Sequence, residues 1–288
     1  MPTYPTIRVL LEGEAGVGKS TCANTFPGPR LVELFDPPGK GQPYLEGGIP
    51  SEIKDADGIL YQEVFSEKTG NMITRVEYFS ELSLAPESAS AYDRFLKRAA
   101  TLDRDLPNYR TVIFDSATYF ELASRKHSEY NLNRGVKDGR QHYGLSRHEC
   151  EEWLMRKLPS LLFHNAVVIA HLDLVKNDVT GELLRLAAVP GKLANSLGAG
   201  YGEVYRTYTQ RDDSGVTTYW LQTRSHEGYN CSSLIKAGDP CVAHYKMLWE
   251  NYVPPKSLPK KEVAKSDPEL TAAAVSSSDE KVGEVAKV

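Results

Sequence analysis

Residues 13–20 read Gly13-Glu14-Ala15-Gly16-Val17-Gly18-Lys19-Ser20, a complete G-x-x-x-x-G-K-S run, and Thr21 follows it. The setting agrees with the letters. Ile7–Glu12 (I-R-V-L-L-E) is a short apolar, β-branched stretch that reads as a buried strand. The residues after Lys19, S-T-C-A-N-T-F, are able to open a helix. A strand, a glycine loop and a helix start in that order make a phosphate cradle, because the loop turns its backbone N–H groups inward. In such a cradle Lys19 reaches the β- and γ-phosphates, and the Ser20 hydroxyl ligates Mg²⁺. Residues Gly13 to Thr21 are therefore the expected nucleotide-binding segment.

Working outward, buried strands alternate with helices. Leu31–Phe35 reads as a second strand stopped by Asp36-Pro37-Pro38-Gly39. Ile59–Phe65 and Met72–Phe79 flank a turn and read as a hairpin. A helix is expected from Pro86 to about Asp103, with Tyr92, Phe95, Leu96 and Ala99 on its apolar face. Thr111–Phe114 is a short buried strand followed by a helix from Thr118 to Tyr130. A further helix is expected over Leu145–Phe163, then the strand Ala166–Ala170. Leu172–Val175 and Leu183–Ala187 are able to pair, and Glu203–Tyr208 and Thr217–Thr223 read as late strands. The pattern predicts an α/β fold with a mostly parallel sheet, helices on both faces and late antiparallel strands. From Pro254 the composition turns to Pro, Ser, Lys and Glu without an aromatic residue, so residues 1–253 are read as the core and 254–288 as a disordered tail.

Bulk properties narrow the function classes. The 288 residues are 41% hydrophobic with net charge −4, so any contact with a polyanion has to be local. Cys22, Cys150, Cys231 and Cys241 form no C-x-x-C pair and no zinc spacing, and they read as reduced thiols. The N-terminus has no basic and apolar leader, and no run approaches a membrane span, so a cytoplasmic protein is expected.

Three positions extend the nucleotide site. Thr111-Val112-Ile113-Phe114-Asp115-Ser116 places a carboxylate at the C-terminal edge of a buried strand, where open α/β sheets hold ligands. Asp115 is thus expected to share Mg²⁺ with Ser20. His171 ends the strand A-V-V-I-A in the same way and is placed to sense a γ-phosphate; a structural histidine is the alternative. Between them, Arg125 to His148 carries Arg125, Lys126, Arg134, Lys137, Arg140 and Arg147 against Glu129 and Asp138, with Tyr130 and Tyr143 interspersed. Basic groups contact phosphates and aromatic rings stack on unpaired bases. The alternative there is a solvated basic loop or a subunit contact.

The order of these elements resembles the RecA-type recombinase core. The run His142-Tyr143-Gly144-Leu145-Ser146-Arg147, followed by Met155-Arg156-Lys157-Leu158, is similar to the RecA segment after the first DNA-binding loop. Val189-Pro190-Gly191-Lys192-Leu193-Ala194, leading to Tyr201-Gly202-Glu203-Val204-Tyr205-Arg206, resembles the small RecA-like phage nucleotide-binding ATPases, which include core-only phage recombinases that anneal single strands. The resemblance spans residues 6 to 252 and implies an ATP- and Mg²⁺-dependent, DNA-stimulated ATPase that binds single-stranded DNA. It also implies a homo-oligomer, ring or filament, a single-strand-binding protein as partner, and a bacterial host cell if the chain is phage-encoded. By position it makes Asn131–His142 the first DNA loop, with Arg134, Lys137, Arg140, His142 and Tyr143 as contacts. The turn from His171 to Lys192, bearing Lys176, becomes the second.

Two departures from RecA matter. RecA proteins carry a catalytic glutamate two residues past an Asp after the second strand, and here Pro38 stands there. Glu33 or Asp36 is then expected to polarise water, or hydrolysis is slow. The chain also begins just before its first core strand, so the RecA module that links subunits is expected to be absent. Two other classes remain open: a P-loop small-molecule phosphotransferase, for which no lid motif is seen, and a nucleotide-dependent scaffold with little hydrolysis.

Overall fold

The structure, a computed structural model, describes residues 5–80, 90–132, 135–136, 138–176, 181, 183–226 and 228–252. Strand β1 (Arg8–Gly13) feeds the glycine loop and the short helix α1 (Lys19–Asn24). Then come β2 (Arg30–Leu34), a 3₁₀ turn at Pro38–Gly41 and the single-turn α2 (Gln42–Leu45). Four strands follow: β3 (Ile49–Pro50), β4 (Lys54–Ala56), β5 (Ile59–Phe65) and β6 (Met72–Tyr78). Helix α3 (Ala91–Asp105) leads to β7 (Thr111–Asp115) and α4 (Ala117–His127). Helix α5 (Gly139–Cys150) runs on through a π-helical stretch to Lys157 and is followed by β8 (Asn165–Lys176) and β9 (Leu183–Ala187). The chain closes with α6 (Leu193–Ser196), β10 (Glu203–Arg211), β11 (Thr217–Gln222), β12 (Ser232–Ser233) and β13 (Cys241–Val242).

The central strands run in the order β10-β1-β8-β7-β2-β6, all parallel, with β11 and β5 antiparallel outside them. This is the predicted α/β architecture. Its decisive feature is that β8 separates β1 from β7. Gly13 is level with His171 and Asp115 with Ile169, so the middle strand delivers His171 between the glycine loop and the Asp115 carboxylate.

Alternation divides the core into two layers. Val9, Leu11, Ile113, Val167 and Ile169 pack with Cys22, Ala23 and Phe26 of the α1 side. Leu10, Phe114 and Val168 pack with Phe95 of α3, Phe120 of α4 and Trp153. On that second face Phe35, Phe79, Phe95, Phe114 and Phe120 form an aromatic cluster, with Phe35 and Phe114 at 4.9 Å. Phe35 and Phe114 immediately precede Asp36 and Asp115, so the packing that orders the cluster also fixes both strand ends.

Four expectations change. The stretch 139–142, read as the end of the first DNA loop, opens α5, because the Asp138 side chain caps Arg140 N–H at 3.0 Å. The helix expected to reach Phe163 stops at Lys157. Strand β8 does not end at His171 but continues to Lys176, since Leu172–Lys176 pair antiparallel with β9. On α3, Leu96 is exposed and Arg98 is buried in its place. The start of that helix at Pro86 and the tail beyond Pro254 lie outside the described residues; the units are Met1–Tyr252 and Val253–Val288. The four cysteines are buried and unpaired, and no described helix is long and apolar enough to cross a membrane.

Arg98 is buried because it is paired. Its Nε lies 2.6 Å from Glu77 Oε2 on β6, and its NH1 lies 2.6 Å from Asp105. Arg75 holds the other Glu77 oxygen at 2.6 Å. Removing one partner of such a pair strands a buried charge. Arg98→Met is therefore expected to lower unfolding free energy by about 3–5 kcal/mol in urea melts. Glu77→Gln in the same chain should return part of that loss. Equal stability of Arg98→Met and the parent chain would show that the pair is not holding α3 to the sheet.

Candidate functional site

The glycine loop and the ends of β2, β7 and β8 converge on one cleft. It is lined by Gly16, Gly18, Lys19, Ser20, Thr21, Asp36, Lys40, Asp115, His171 and Tyr219, among others. Backbone requirements explain two of the glycines. Gly18 has φ +84°, and a side chain there would run into the Tyr219 ring of β11. At Gly13 a Cβ would stand 2.7 Å from the Thr207 carbonyl oxygen of β10. Glu14, Ala15 and Val17 complete the loop between them.

Lys19 is buried and donates to the carbonyls of Gly13 at 2.7 Å and Glu14 at 2.6 Å. Burial pulls its ammonium down to about 8, against the opposing pull of Asp115 and Asp36. Asp115 is likewise buried. Its Oδ2 accepts from Ser20 Oγ at 2.7 Å and from the Tyr44 hydroxyl at 2.7 Å. Burial pushes this carboxyl up to about 6 and the neighbouring Asp36 adds to the rise, while Tyr44, Ser20 and Lys19 oppose it. Asp36 Oδ1 accepts from Ser116 Oγ at 2.5 Å, and its Oδ2 lies 3.4 Å from His171 Nε2. The His171 backbone N–H donates to Thr118 Oγ1 at 3.1 Å on α4.

This arrangement suits a magnesium nucleotide. Among the described residues no group of three His, Cys, Asp or Glu could hold a metal unaided. One hydroxyl and one carboxylate at 2.7 Å are what Mg²⁺ takes from a protein when phosphates and water supply the rest. The raised Asp115 carboxyl is a charge awaiting a cation, and Lys19 is a charge awaiting an anion.

The cleft thus unites Lys19, Ser20, Asp36, Asp115 and His171. Glu33 is elsewhere. It lies buried on β2 opposite Glu77, with neither carboxylate oxygen hydrogen-bonded. Burial raises its pKa well above the usual range and Glu77 adds to this, so it is a core acid and does not face the cleft. Tyr44, Lys40 and Tyr219 were not singled out from sequence. Lys40 carried a legible signal, since it follows Asp36 on the same short connection. Tyr44 and Tyr219 come from a short helix and a distant strand that no local pattern links to the loop.

The DNA-contact residues divide as well. Arg140, Tyr143 and Arg147 line an open groove of about 660 Å³ between α5 and Pro190–Gly191. Tyr143 is exposed, and the Arg125 guanidinium stands over its ring at 5.5 Å. His142 faces inward: Nδ1 meets Ser128 Oγ at 3.1 Å and Nε2 the Val136 carbonyl at 3.2 Å, which removes it from the contact surface. Lys176 is exposed at the end of β8, away from this groove. Arg134 and Lys137 lie outside the described residues.

A glycine loop with Lys and Ser at its end, a strand-end Asp bonded to that Ser, and a parallel sheet that carries both define a P-loop nucleoside-triphosphatase domain. The chain belongs to the AAA domain family, whose model matches residues 6–230. Among solved structures it is similar to the flagellar accessory protein FlaH from Methanocaldococcus jannaschii, at 12% identity over 83% of this chain and 85% of that one, TM-score 0.37. It is also similar to a prototypical ATPase from the type III secretion system of pathogenic bacteria, at 13% identity over 70% of this chain and 51% of that one, TM-score 0.40. No curated protein sequence matches the chain.

The two perturbed groups set a pH window. Asp115 must be ionised to hold a cation, so affinity falls as pH drops through about 6. Lys19 must be protonated to hold phosphates, so affinity falls as pH rises through about 8. Titration with a fluorescent ATP analogue and Mg²⁺ is expected to give a maximum between these values. A flat profile from acid to alkaline pH would contradict the assignment of both residues.

Proposed function

We propose that this chain is an ATP-dependent, single-stranded-DNA-binding protein of the core-only phage recombinase type, which hydrolyses ATP and acts in strand annealing. The observation that carries the reading is the backbone route from the nucleotide cleft to the basic groove. His171 lines the cleft, and its carbonyl accepts from Ala188 N–H at 2.8 Å. Pro190 and Gly191, two and three residues further on, form one wall of the groove whose other wall is Arg140, Tyr143 and Arg147. A change at His171 therefore has a short path to the surface that carries Arg140, Arg147 and the exposed Tyr143 ring.

In this reading Lys19 leaves the Gly13 and Glu14 carbonyls to contact the β- and γ-phosphates. Ser20 and Asp115 hold Mg²⁺, which when bound neutralises charge across those phosphates. Asp36, oriented by Ser116 and His171, polarises the attacking water. It takes this part because Pro38 stands where RecA has glutamate, and its short side chain fits slow turnover. Subunits assemble into a ring or filament on the strand. The core of residues 1–253 carries these activities, and the segment 254–288 is proposed as a solubilising tail.

The test couples two measurements: ATP hydrolysis with and without single-stranded DNA, and DNA binding with and without ATP. DNA is expected to stimulate hydrolysis and ATP to tighten DNA binding. Tyr143→Ala should weaken DNA binding by about 1–3 kcal/mol. Arg140→Ala with Arg147→Ala should flatten the salt dependence, each lost phosphate contact reducing the log–log slope by about 0.7. Absence of both DNA stimulation and ATP-dependent binding would refute the recombinase reading and leave a P-loop ATPase of another kind.

A further inference from the structure

We infer that Lys40 is a second phosphate-binding cation of the nucleotide site, supplied in cis, which acts on the transferred phosphoryl group. This rests on the ATP-binding reading of the cleft and extends it to a residue outside both sequence motifs.

The first observation is placement. Lys40 lines the same cleft as Lys19, Ser20, Asp36, Asp115 and His171. Its charge is near enough to depress the Lys19 ammonium further, beyond the larger effect of burial. Lys19 and Lys40 are the two lysines of that lining, and no arginine is among it.

The second observation is that Lys40 is held there without a partner. It is exposed, and its ammonium makes no hydrogen bond or ion pair among the described residues. The nearby acids are engaged elsewhere. Asp36 takes Ser116 and faces His171, and Asp115 Oδ2 takes Ser20 and Tyr44. Lys40 opposes the charge of Lys19 more weakly than Asp115 and Asp36 favour it, so the cleft holds cations and carboxylates together, and an entering phosphate meets both lysines.

The third observation is rigidity. The connection Asp36-Pro37-Pro38-Gly39-Lys40-Gly41 is tied to Asp115 at both ends. Asp36 N–H donates to the Asp115 carbonyl at 3.3 Å, and Tyr44, four residues past Lys40, donates to the Asp115 carboxylate at 2.7 Å. In between, Lys40 N–H closes the 3₁₀ turn on the Pro37 carbonyl at 2.8 Å. Gly41 admits close packing, since a Cβ there would lie 2.9 Å from Leu34 Cδ2. The backbone beneath Lys40 is thus referenced to the same carboxylate that is proposed to hold the metal. A lysine carried on backbone tied to that point is kept at the cleft where charge develops on the phosphoryl oxygens. In phosphoryl transfer such a cation is supplied either in cis or in trans. Here the chain carries its own.

The experiment uses the full chain and compares the parent with Lys40→Ala, Lys40→Arg and Lys19→Ala. Steady-state ATP hydrolysis and equilibrium binding of ATP and ADP are read together. Lys40→Ala is expected to lower kcat by about 10²-fold, to weaken ATP binding far less, and to leave ADP binding and the thermal midpoint unchanged. Lys40→Arg should retain most of kcat. Mixing Lys40→Ala, which binds ATP, with Lys19→Ala, which supplies an intact Lys40, should restore no hydrolysis. Restoration would overturn action in cis, and an unchanged kcat in Lys40→Ala would overturn the role altogether. If the parent itself binds no ATP, the nucleotide reading falls and this inference with it, an outcome distinct from both.

Discussion

Everything at the proposed active centre is referenced to the carboxyl end of one strand, at Asp115. Its side chain accepts from Ser20 at the glycine loop and from Tyr44 on α2. Its backbone carbonyl accepts from the N–H groups of Phe35, at 2.6 Å, and Asp36. Three segments far apart in sequence therefore share a single anchor. The anchor is fixed from behind by Phe114, which is packed in the aromatic cluster with Phe35 and Phe120. Burial is what gives these bonds their value. In water, a carboxylate would exchange such donors freely; in a buried site each unmade bond costs the full desolvation of the group. The same burial makes the ionised form of Asp115 expensive, which is the electrostatic reason a divalent cation fits there.

Buried charge is handled in two different ways on the two faces of the sheet. In the cleft, Lys19, Asp36 and Asp115 are each satisfied locally, yet their charges are not neutralised as pairs: Lys19 bonds carbonyls, Asp115 bonds hydroxyls. That is a site prepared for ions of both signs. Beneath α3, Glu77 is neutralised outright by Arg75 and Arg98, while burial, with Glu77 adding to it, pushes the pKa of the neighbouring Glu33 well above the usual carboxylate range. That is a structural arrangement, closed to solvent and to ligand. Two acids three residues apart on one chain, Glu33 and Asp36, thus have opposite fates, and the difference is which end and face of β2 each occupies.

The sequence was most legible where chemistry is local. The glycine loop, the strand at Thr111–Asp115 and the alternation of strands with helices all follow from short windows, and the fold follows from them. The reading of His171 shows where such windows end. An apolar run followed by His looks like a finished strand; the expected pairing of Leu172–Val175 with Leu183–Ala187 is present, but as a continuation of β8 and not as a separate strand. Leu96 and Arg98 show the same limit on α3. Periodicity placed the leucine inside, while the buried Glu77 carboxylate of the sheet drew the arginine in instead. Tyr44 is brought to Asp115 by α2 and Tyr219 to the glycine loop by β11, so their part is a property of the fold and not of any motif.

The middle position of β8 also bears on how nucleotide and surface communicate. A strand bonded on both sides by parallel neighbours cannot shift its register without breaking two ladders at once. Up to Ile169, β8 is therefore stiff. Beyond His171, both β1 and β7 have ended, and β8 pairs only with β9. β8 is held on both sides as far as Ile169, by β1 alone at Ala170 and His171, and by β9 from Leu172, so the residue that faces Asp36 lies where one ladder hands over to the next. A force applied to His171 meets a rigid sheet on one side and a hinged hairpin on the other, so displacement goes outward, toward Ala188, Pro190 and the groove. That asymmetry is built from strand lengths alone. It needs no special hinge residue, and it places the compliant element between the proposed sites of ATP and DNA.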